Sequence, residues 1–170
     1  NYNLKVCGFN LEYYLTIPNS TGMGPATQTD MDNQHTKIVA ALKAIDADIY
    51  GLVEIEQGQD ALTKLANSLT SSTGKPYSYI NDGTSISGTY TKSAYLYRTD
   101  KVSPYLLLKS INSPGPTNRK KQQAFTLKSN NERFIFSINH FKAKSGCSNA
   151  SGSDDDQGDG QSCYNATRTA

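Results

Sequence analysis

Ala47-Asp48-Ile49-Tyr50-Gly51-Leu52-Val53-Glu54-Ile55-Glu56 is the stretch that decides the fold of this chain. Ile49 to Val53 has the length and composition of a buried strand, with a glycine at its middle and two carboxylates, Glu54 and Glu56, where it ends. Burying a lone carboxylate is expensive, so one at the lip of such a strand calls for a cation as company. Glu54 is therefore a candidate magnesium ligand. Glu56 shares its face if side chains alternate strictly, which allows a paired two-metal role or, as the first reading, an exposed carboxylate beyond the strand end.

Upstream, Leu4 to Leu11 reads as a second strand, with Asn10 and Glu12 at its exit. Thr16 to Asn33 is rich in Gly, Pro, Thr, Asn and Asp and reads as a long surface loop, with Asp32 or Asn33 capping the helix that follows. In that helix Ile38, Leu42 and Ile45 repeat at helical spacing. Strand, helix, strand makes a βαβ unit whose strands are parallel, so Asn10, Glu12, Glu54 and Glu56 converge at one sheet edge, where α/β sheets bind ligands.

Downstream, a second helix is expected from Asp60, carrying Leu62, Leu65, Ala66 and Leu69, and Gly74-Lys75-Pro76 stops it. The period then changes to two. Tyr77–Asn81, Ser93–Arg98, Val102–Ile111, Gln123–Lys128 and Arg133–Phe141 read as strands. Early helices and a later run of antiparallel strands predict a layered α+β domain with helices against a sheet.

At 170 residues the chain is long enough for one core, and its net charge of +2 is too small to mark a nucleic-acid binder by itself. No apolar run approaches a membrane span, and the first residues lack the regions of a signal peptide, which leaves a cytosolic protein or one whose signal was trimmed. Cys7 lies in an apolar strand, whereas Cys147 and Cys163 bracket a polar, acidic loop. A Cys147–Cys163 disulfide is the expectation, contributing about 3 kcal/mol in the chain-entropy picture and pointing to an oxidising compartment. Within that loop Asp155, Gln157, Asp159 and Gly160 resemble half of a calcium loop, but Ala166 stands where its bidentate glutamate belongs; an acidic mobile loop is the simpler reading. Asn165 can cap a last turn.

His140 ends the strand Phe134 to Phe141, and alternation places it with Phe134, Phe136 and Ile138 at the rim of an apolar face. A lone histidine there is more often structural than catalytic. A strand-end amide, a strand-end carboxylate and a strand-end imidazole together are nonetheless the parts for metal-assisted phosphoester cleavage: Glu54 to hold the metal, Asn10 to position phosphate or water, His140 for proton transfer or charge stabilisation.

Phe9-Asn10-Leu11-Glu12, Asp48-Ile49-Tyr50-Gly51-Leu52-Val53-Glu54 and Asn139-His140-Phe141-Lys142 resemble, in order, motifs of the endonuclease/exonuclease/phosphatase superfamily. Gln34 to Leu42, Glu54-Ile55-Glu56, Ala94 to Arg98 and Asn139 to Arg168 are similar to the secreted bacterial extracellular nucleases within it. The resemblance covers nearly the whole chain. It implies a deoxyribonuclease-like fold, a two-layer β-sandwich flanked by helices and four-layered when complete, with residues 1–170 as the N-terminal portion of one domain and the C-terminal portion absent.

The resemblance also implies that Glu54 binds the catalytic Mg²⁺ (with Mn²⁺ or Ca²⁺ as substitutes), that Asn10 orients this carboxylate or contacts phosphate, and that His140 bonds the scissile phosphate or assists the leaving oxygen. Arg119 resembles a substrate-phosphate arginine of the family, although Lys120 follows it where a proline is common. The pancreatic deoxyribonuclease branch pairs its histidine with a glutamate, and Thr91-Lys92 stands in the matching place. Neither a Gly-Asp-Phe-Asn nor a Ser-Asp-His motif occurs in the sequence, so residues 1–170 are expected to be inactive alone. The expected activity is Mg²⁺-dependent hydrolysis of DNA or RNA by a secreted, periplasmic or cell-surface protein. A phosphomonoesterase or lipid phosphodiesterase with the same centre, or a non-catalytic module, is the alternative. A sheet face left apolar would be covered by the protein's own C-terminal half or a symmetry mate.

Overall fold

The computed structural model describes residues 4–19, 21–83, 89–110 and 119–169. The βαβ unit is present as β1 (Val6–Tyr14), α1 (Gln28–Ile45) and β2 (Ile49–Glu56). β1 and β2 are parallel, with Gly8 opposite Gly51 and Asn10 opposite Val53. Asp48 fixes the start of this pair. Its carboxylate accepts the Lys5 backbone N–H at 3.0 Å and lies 3.3 Å from the Arg98 guanidinium.

α1 starts earlier than Asp32 or Asn33. Thr27 is its cap: the hydroxyl accepts the Asp30 N–H at 3.1 Å and donates to the Asp30 carboxylate at 2.6 Å. This reciprocal pairing satisfies the first turn and draws Met31 into the core. α2 (Asp60–Thr73) runs as expected and ends on the left-handed Gly74. The remaining strands are β3 (Tyr77–Tyr79), β4 (Thr91–Arg98), β5 (Val102–Ser110), β6 (Lys120–Leu127) and β7 (Arg133–Asn139). β4 and β6 begin earlier than the alternation of apolar residues indicates, because their first positions are polar. Ile111, expected at the end of β5, lies outside the described residues.

One sheet has the order β1-β2-β4-β3 and the other β5-β6-β7. Ile38 and Leu42 of α1 and Leu62, Leu65 and Leu69 of α2 bury Tyr50, Leu52, Ile55 and Leu96 of the first sheet. On its opposite face Ile49, Tyr95 and Tyr97 meet Phe125, Leu127 and Ile138 of the second sheet. The order of layers is therefore helices, sheet, sheet, an α+β sandwich. The Tyr95 hydroxyl ties the sheets together, its one hydrogen shared between the carbonyl oxygens of Lys121 and Phe136 at 2.8 and 2.6 Å. Ile135 and Phe141, 67% and 54% exposed, leave apolar surface on and beyond β7.

Gly51 is where the sheets come closest. A Cβ there would stand 2.5 Å from Ile138 Cγ2 and 3.1 Å from the Phe136 ring. The tail is closed by the Cys147–Cys163 disulfide, with Cα atoms 5.5 Å apart. The acidic loop is organised rather than loose. Asp154 accepts both the backbone N–H and the hydroxyl of Thr167, within α3 (Asn165–Thr169), at 2.8 and 2.5 Å. Asp156 and Asp159 bond backbone N–H groups of their own turns.

Gly51→Ala is expected to destabilise the chain by about 1–3 kcal/mol through overpacking. Gly8→Ala, whose Cβ would meet nothing within 4 Å, is expected to cost less than about 0.5 kcal/mol. Denaturant titration of the two variants checks this, and equal losses would contradict the close approach.

Candidate functional site

Strict alternation would send Glu54 toward the helices, on the face of Tyr50 and Leu52. The backbone prevents this. Pairing of β2 with β4 breaks register between Leu52 and Ile55, and Glu54 itself sits at φ +61°. A left-handed non-glycine residue costs about 1–2 kcal/mol, and such bulges re-aim side chains. Here the Glu54 carboxylate turns to His140, with Oε1 3.1 Å from Nε2.

His140 follows β7 directly, and its backbone N–H donates to the Arg119 carbonyl at 2.9 Å. Burial is the main influence lowering the His140 pKa below its ordinary 6.5, the Arg119 charge adds to it, and Glu54 opposes both. The imidazole is thus neutral at pH 7 and held between a cation and a carboxylate. Glu54 is thus the carboxylate that meets His140.

Asn10 lies on β1, the parallel neighbour of β2. Its side-chain oxygen accepts the Glu12 N–H at 2.8 Å, and Glu12 and Tyr13 are both left-handed, at φ +54° and +55°. Gln34 of α1 clamps this turn by donating to the carbonyls of Leu11 and Glu12 at 3.0 and 2.8 Å. Asn10 therefore sits in the middle of β1, where its pairing with β2 breaks register, rather than at the strand's exit, and lies opposite Val53, the residue before Glu54. Arg119 stands at the mouth of β6, its carbonyl also accepting the Ser93 hydroxyl at 3.0 Å.

Glu56 is neither exposed nor paired with Glu54. The register break separates them, and Glu56 accepts the Thr16 hydroxyl at 2.5 Å. Behind the site, Asp82 bonds both Lys92, at 2.7 Å, and Lys121. The two lysine side chains are fully buried and Asp82 is 3% exposed. Burial pulls the Lys121 pKa down, and Asp82 opposes it. Breaking such a buried pair is strongly destabilising because it strands a charge. Lys121 was detectable in the sequence, since it alternates with Gln123, Phe125 and Leu127 onto the buried face; nothing local points to Asp82 as its partner, to Ser93 as the support of Arg119 or to Gln34 as the clamp on Glu12.

Mg²⁺ is typically held by one or two carboxylates and completed by water and phosphate. Glu54 fits that requirement as one ligand, on β2 where Asn10 of β1 lies opposite the preceding Val53. Among the described residues no group of three or more His, Cys, Asp or Glu is arranged to hold an ion, in the acidic loop or elsewhere.

No family model and no curated protein matches this chain. Among solved structures it is similar to an endonuclease/exonuclease/phosphatase family protein from Bacteroides thetaiotaomicron, at TM-score 0.53 and 21% identity over 79% of this chain and 49% of that one. The chain has the endonuclease/exonuclease/phosphatase fold. A conserved protein of unknown function from Enterococcus faecalis V583 shares this fold at TM-score 0.52 and 13% identity, over 85% of this chain and 55% of its own. ANGEL2, a 2′,3′-cyclic phosphatase, aligns at TM-score 0.44 and 17% identity over 63% of this chain and 31% of its own, too distant to argue from. The chain spans about half the length of the first of these structures.

The chain's two histidines provide a test of the site within this fold. Burial lowers His35 as well, between the Tyr14 hydroxyl at 2.7 Å and the Ser68 hydroxyl at 3.0 Å. Both imidazoles should titrate below 6.5 by NMR, and Glu54→Gln should lower His140 further while leaving His35 in place. Since protonation is disfavoured in the folded state, the unfolded chain binds more protons as pH falls below about 6.5, and stability drops there. A His140 value above 6.5, or one indifferent to Glu54→Gln, would contradict the contact.

Proposed function

We propose that this chain is part of a metal-dependent phosphodiesterase that cleaves nucleic acid, with Glu54 and His140 at its reacting centre. The observation that carries this reading is the Glu54–His140 contact itself. A strained residue at a strand end brings a carboxylate to a neutral imidazole at the edge where β1 and β2 both finish. Strain of this kind concentrates at functional sites, and the inference runs from the outlier to the function.

Glu54, with Asn10 on the neighbouring strand, would hold Mg²⁺, or Mn²⁺ or Ca²⁺ in its place. When bound, the ion supplies positive charge against the phosphate oxygens. Arg119 contributes a second, fixed positive charge toward a bound phosphate, which strengthens phosphate binding and favours a neutral His140. With His140 neutral, Nε2–H donates to the Glu54 carboxylate, so the imidazole would serve as a hydrogen-bond donor toward a bound phosphate or leaving oxygen. The described residues bring one carboxylate and one imidazole together without a third His, Cys, Asp or Glu arranged to hold an ion with them. We therefore assign the base that activates water, and the remaining ligands, to polypeptide outside residues 1–170. The same additional polypeptide would cover the exposed Ile135 and Phe141. The Cys147–Cys163 disulfide supports a location outside the cytosol, and among the described residues no helix is long and apolar enough to cross a membrane.

Plasmid degradation by the full-length protein should require Mg²⁺ and stop with EDTA. Glu54→Gln should reduce it by about 10² or more, the order expected for loss of a transition-state electrostatic contact. Unimpaired cleavage by Glu54→Gln would sink the assignment, and residues 1–170 alone should show no degradation.

A further inference from the structure

Arg119 borders a cleft of ≈ 160 Å³ whose other walls include Tyr13, Met23 and Tyr90. Tyr90 is 48% exposed and Met23 44%. Tyr90 also forms a wall of an adjoining cleft of ≈ 220 Å³ that contains Ile17, Pro18 and Glu56. An aromatic and apolar surface therefore runs from the guanidinium across the end of the first sheet.

This surface is built rather than incidental. Tyr13 is left-handed and directly follows Glu12, whose backbone N–H and carbonyl are bonded by Asn10 and Gln34. The loop that carries Met23 is seated on it through Gly24, at φ +87°, where a Cβ would stand 2.9 Å from the Tyr13 carbonyl oxygen and 3.0 Å from Tyr13 Cβ. The loop closes on itself by the Asn19 N–H to Pro25 carbonyl bond of 2.9 Å. Tyr13 and Tyr90 thus line one cleft together with Arg119, whose carbonyl accepts the His140 backbone N–H.

We propose that this cleft is a base-stacking subsite, in which an unpaired nucleobase lies against Tyr13 and Tyr90 while the phosphate of the same nucleotide reaches Arg119. The inference rests on the phosphodiesterase reading and narrows it to single-stranded DNA or RNA, because a base inside a duplex must leave its stack to enter such a site. The charge in the cleft selects the same ligand. A guanidinium repels the quaternary ammonium of a choline headgroup, whereas a flat heterocycle carrying a phosphate satisfies the rings and the cation together.

The test is fluorescence anisotropy of the chain with a short labelled oligothymidylate, its fully abasic counterpart of equal length and charge, and vesicles of phosphatidylcholine with phosphatidylinositol phosphate. The wild type should prefer the oligothymidylate to the abasic strand. Tyr90→Ala should weaken oligothymidylate binding about tenfold, the scale of one stacked base, leave abasic binding unchanged, and be rescued by Tyr90→Phe. Equal binding of the two strands, no binding of either, an equal loss on both in Tyr90→Ala, or Tyr90-dependent binding of the vesicles alone would overturn the subsite. The phosphodiesterase reading is scored separately by Glu54-dependent hydrolysis of bis(p-nitrophenyl) phosphate by the full-length protein. That hydrolysis can persist when the subsite fails, and base-dependent binding can persist when the hydrolysis does not depend on Glu54.

Discussion

The missing side chain of Gly51 is the constraint on which the rest of the molecule depends. Ile138 and Phe136 of β7 occupy the space a Cβ would fill, so the second sheet rests directly on β2. Two residues after Ile138 the chain delivers His140, and three residues after Gly51 it delivers Glu54. The distance between these two side chains is therefore set by a packing contact in the core rather than by surface loops. The Tyr95 hydroxyl, which bonds the carbonyls of both β6 and β7, holds the sheets at that separation.

Local strain at the sheet edge is offset by interactions behind it. Glu12, Tyr13 and Glu54 are left-handed without being glycine, each at a cost of about 1–2 kcal/mol. Asn10 and Gln34 satisfy the backbone N–H and carbonyl of Glu12 and the carbonyl of Leu11 beside it. The strands that approach Glu54 from the other side, β4 and β6, are joined near their first residues by the buried Lys92–Asp82–Lys121 group and by Ser93 on the Arg119 carbonyl. Buried charges of this kind contribute little net stability but penalise any shift that separates them. That penalty keeps Arg119 and His140 in register.

The βαβ unit, the later antiparallel strands, the disulfide and the positions of Glu54 and His140 near the ends of their strands were legible in the sequence, because each depends on local periodicity or residue type; Asn10, expected at the exit of β1, lies in its middle because the strand continues past a register break to Tyr14. The start of α1 was misplaced since the Thr27–Asp30 cap lies inside a stretch otherwise composed like a loop. Glu54 and Glu56 were assigned to one face because strict alternation is the only rule a sequence offers. The register break at Glu54 has no glycine to announce it, and it depends on how β2 meets β4. The sequence brought Glu54 and His140 into one site, but their direct contact was out of reach for the same reason: they are 86 residues apart in the sequence and meet through the packing at Gly51.

The central claim is that Glu54 and His140 form one metal-accessible site set by that packing. Mn²⁺ added to the chain during NMR, with the two histidine ring signals as reporters, tests it most directly. The account predicts that Mn²⁺ broadens His140 strongly, spares His35, and loses this selectivity in Glu54→Gln. Equal broadening of both rings, or selective broadening of His140 that survives Glu54→Gln, would contradict it.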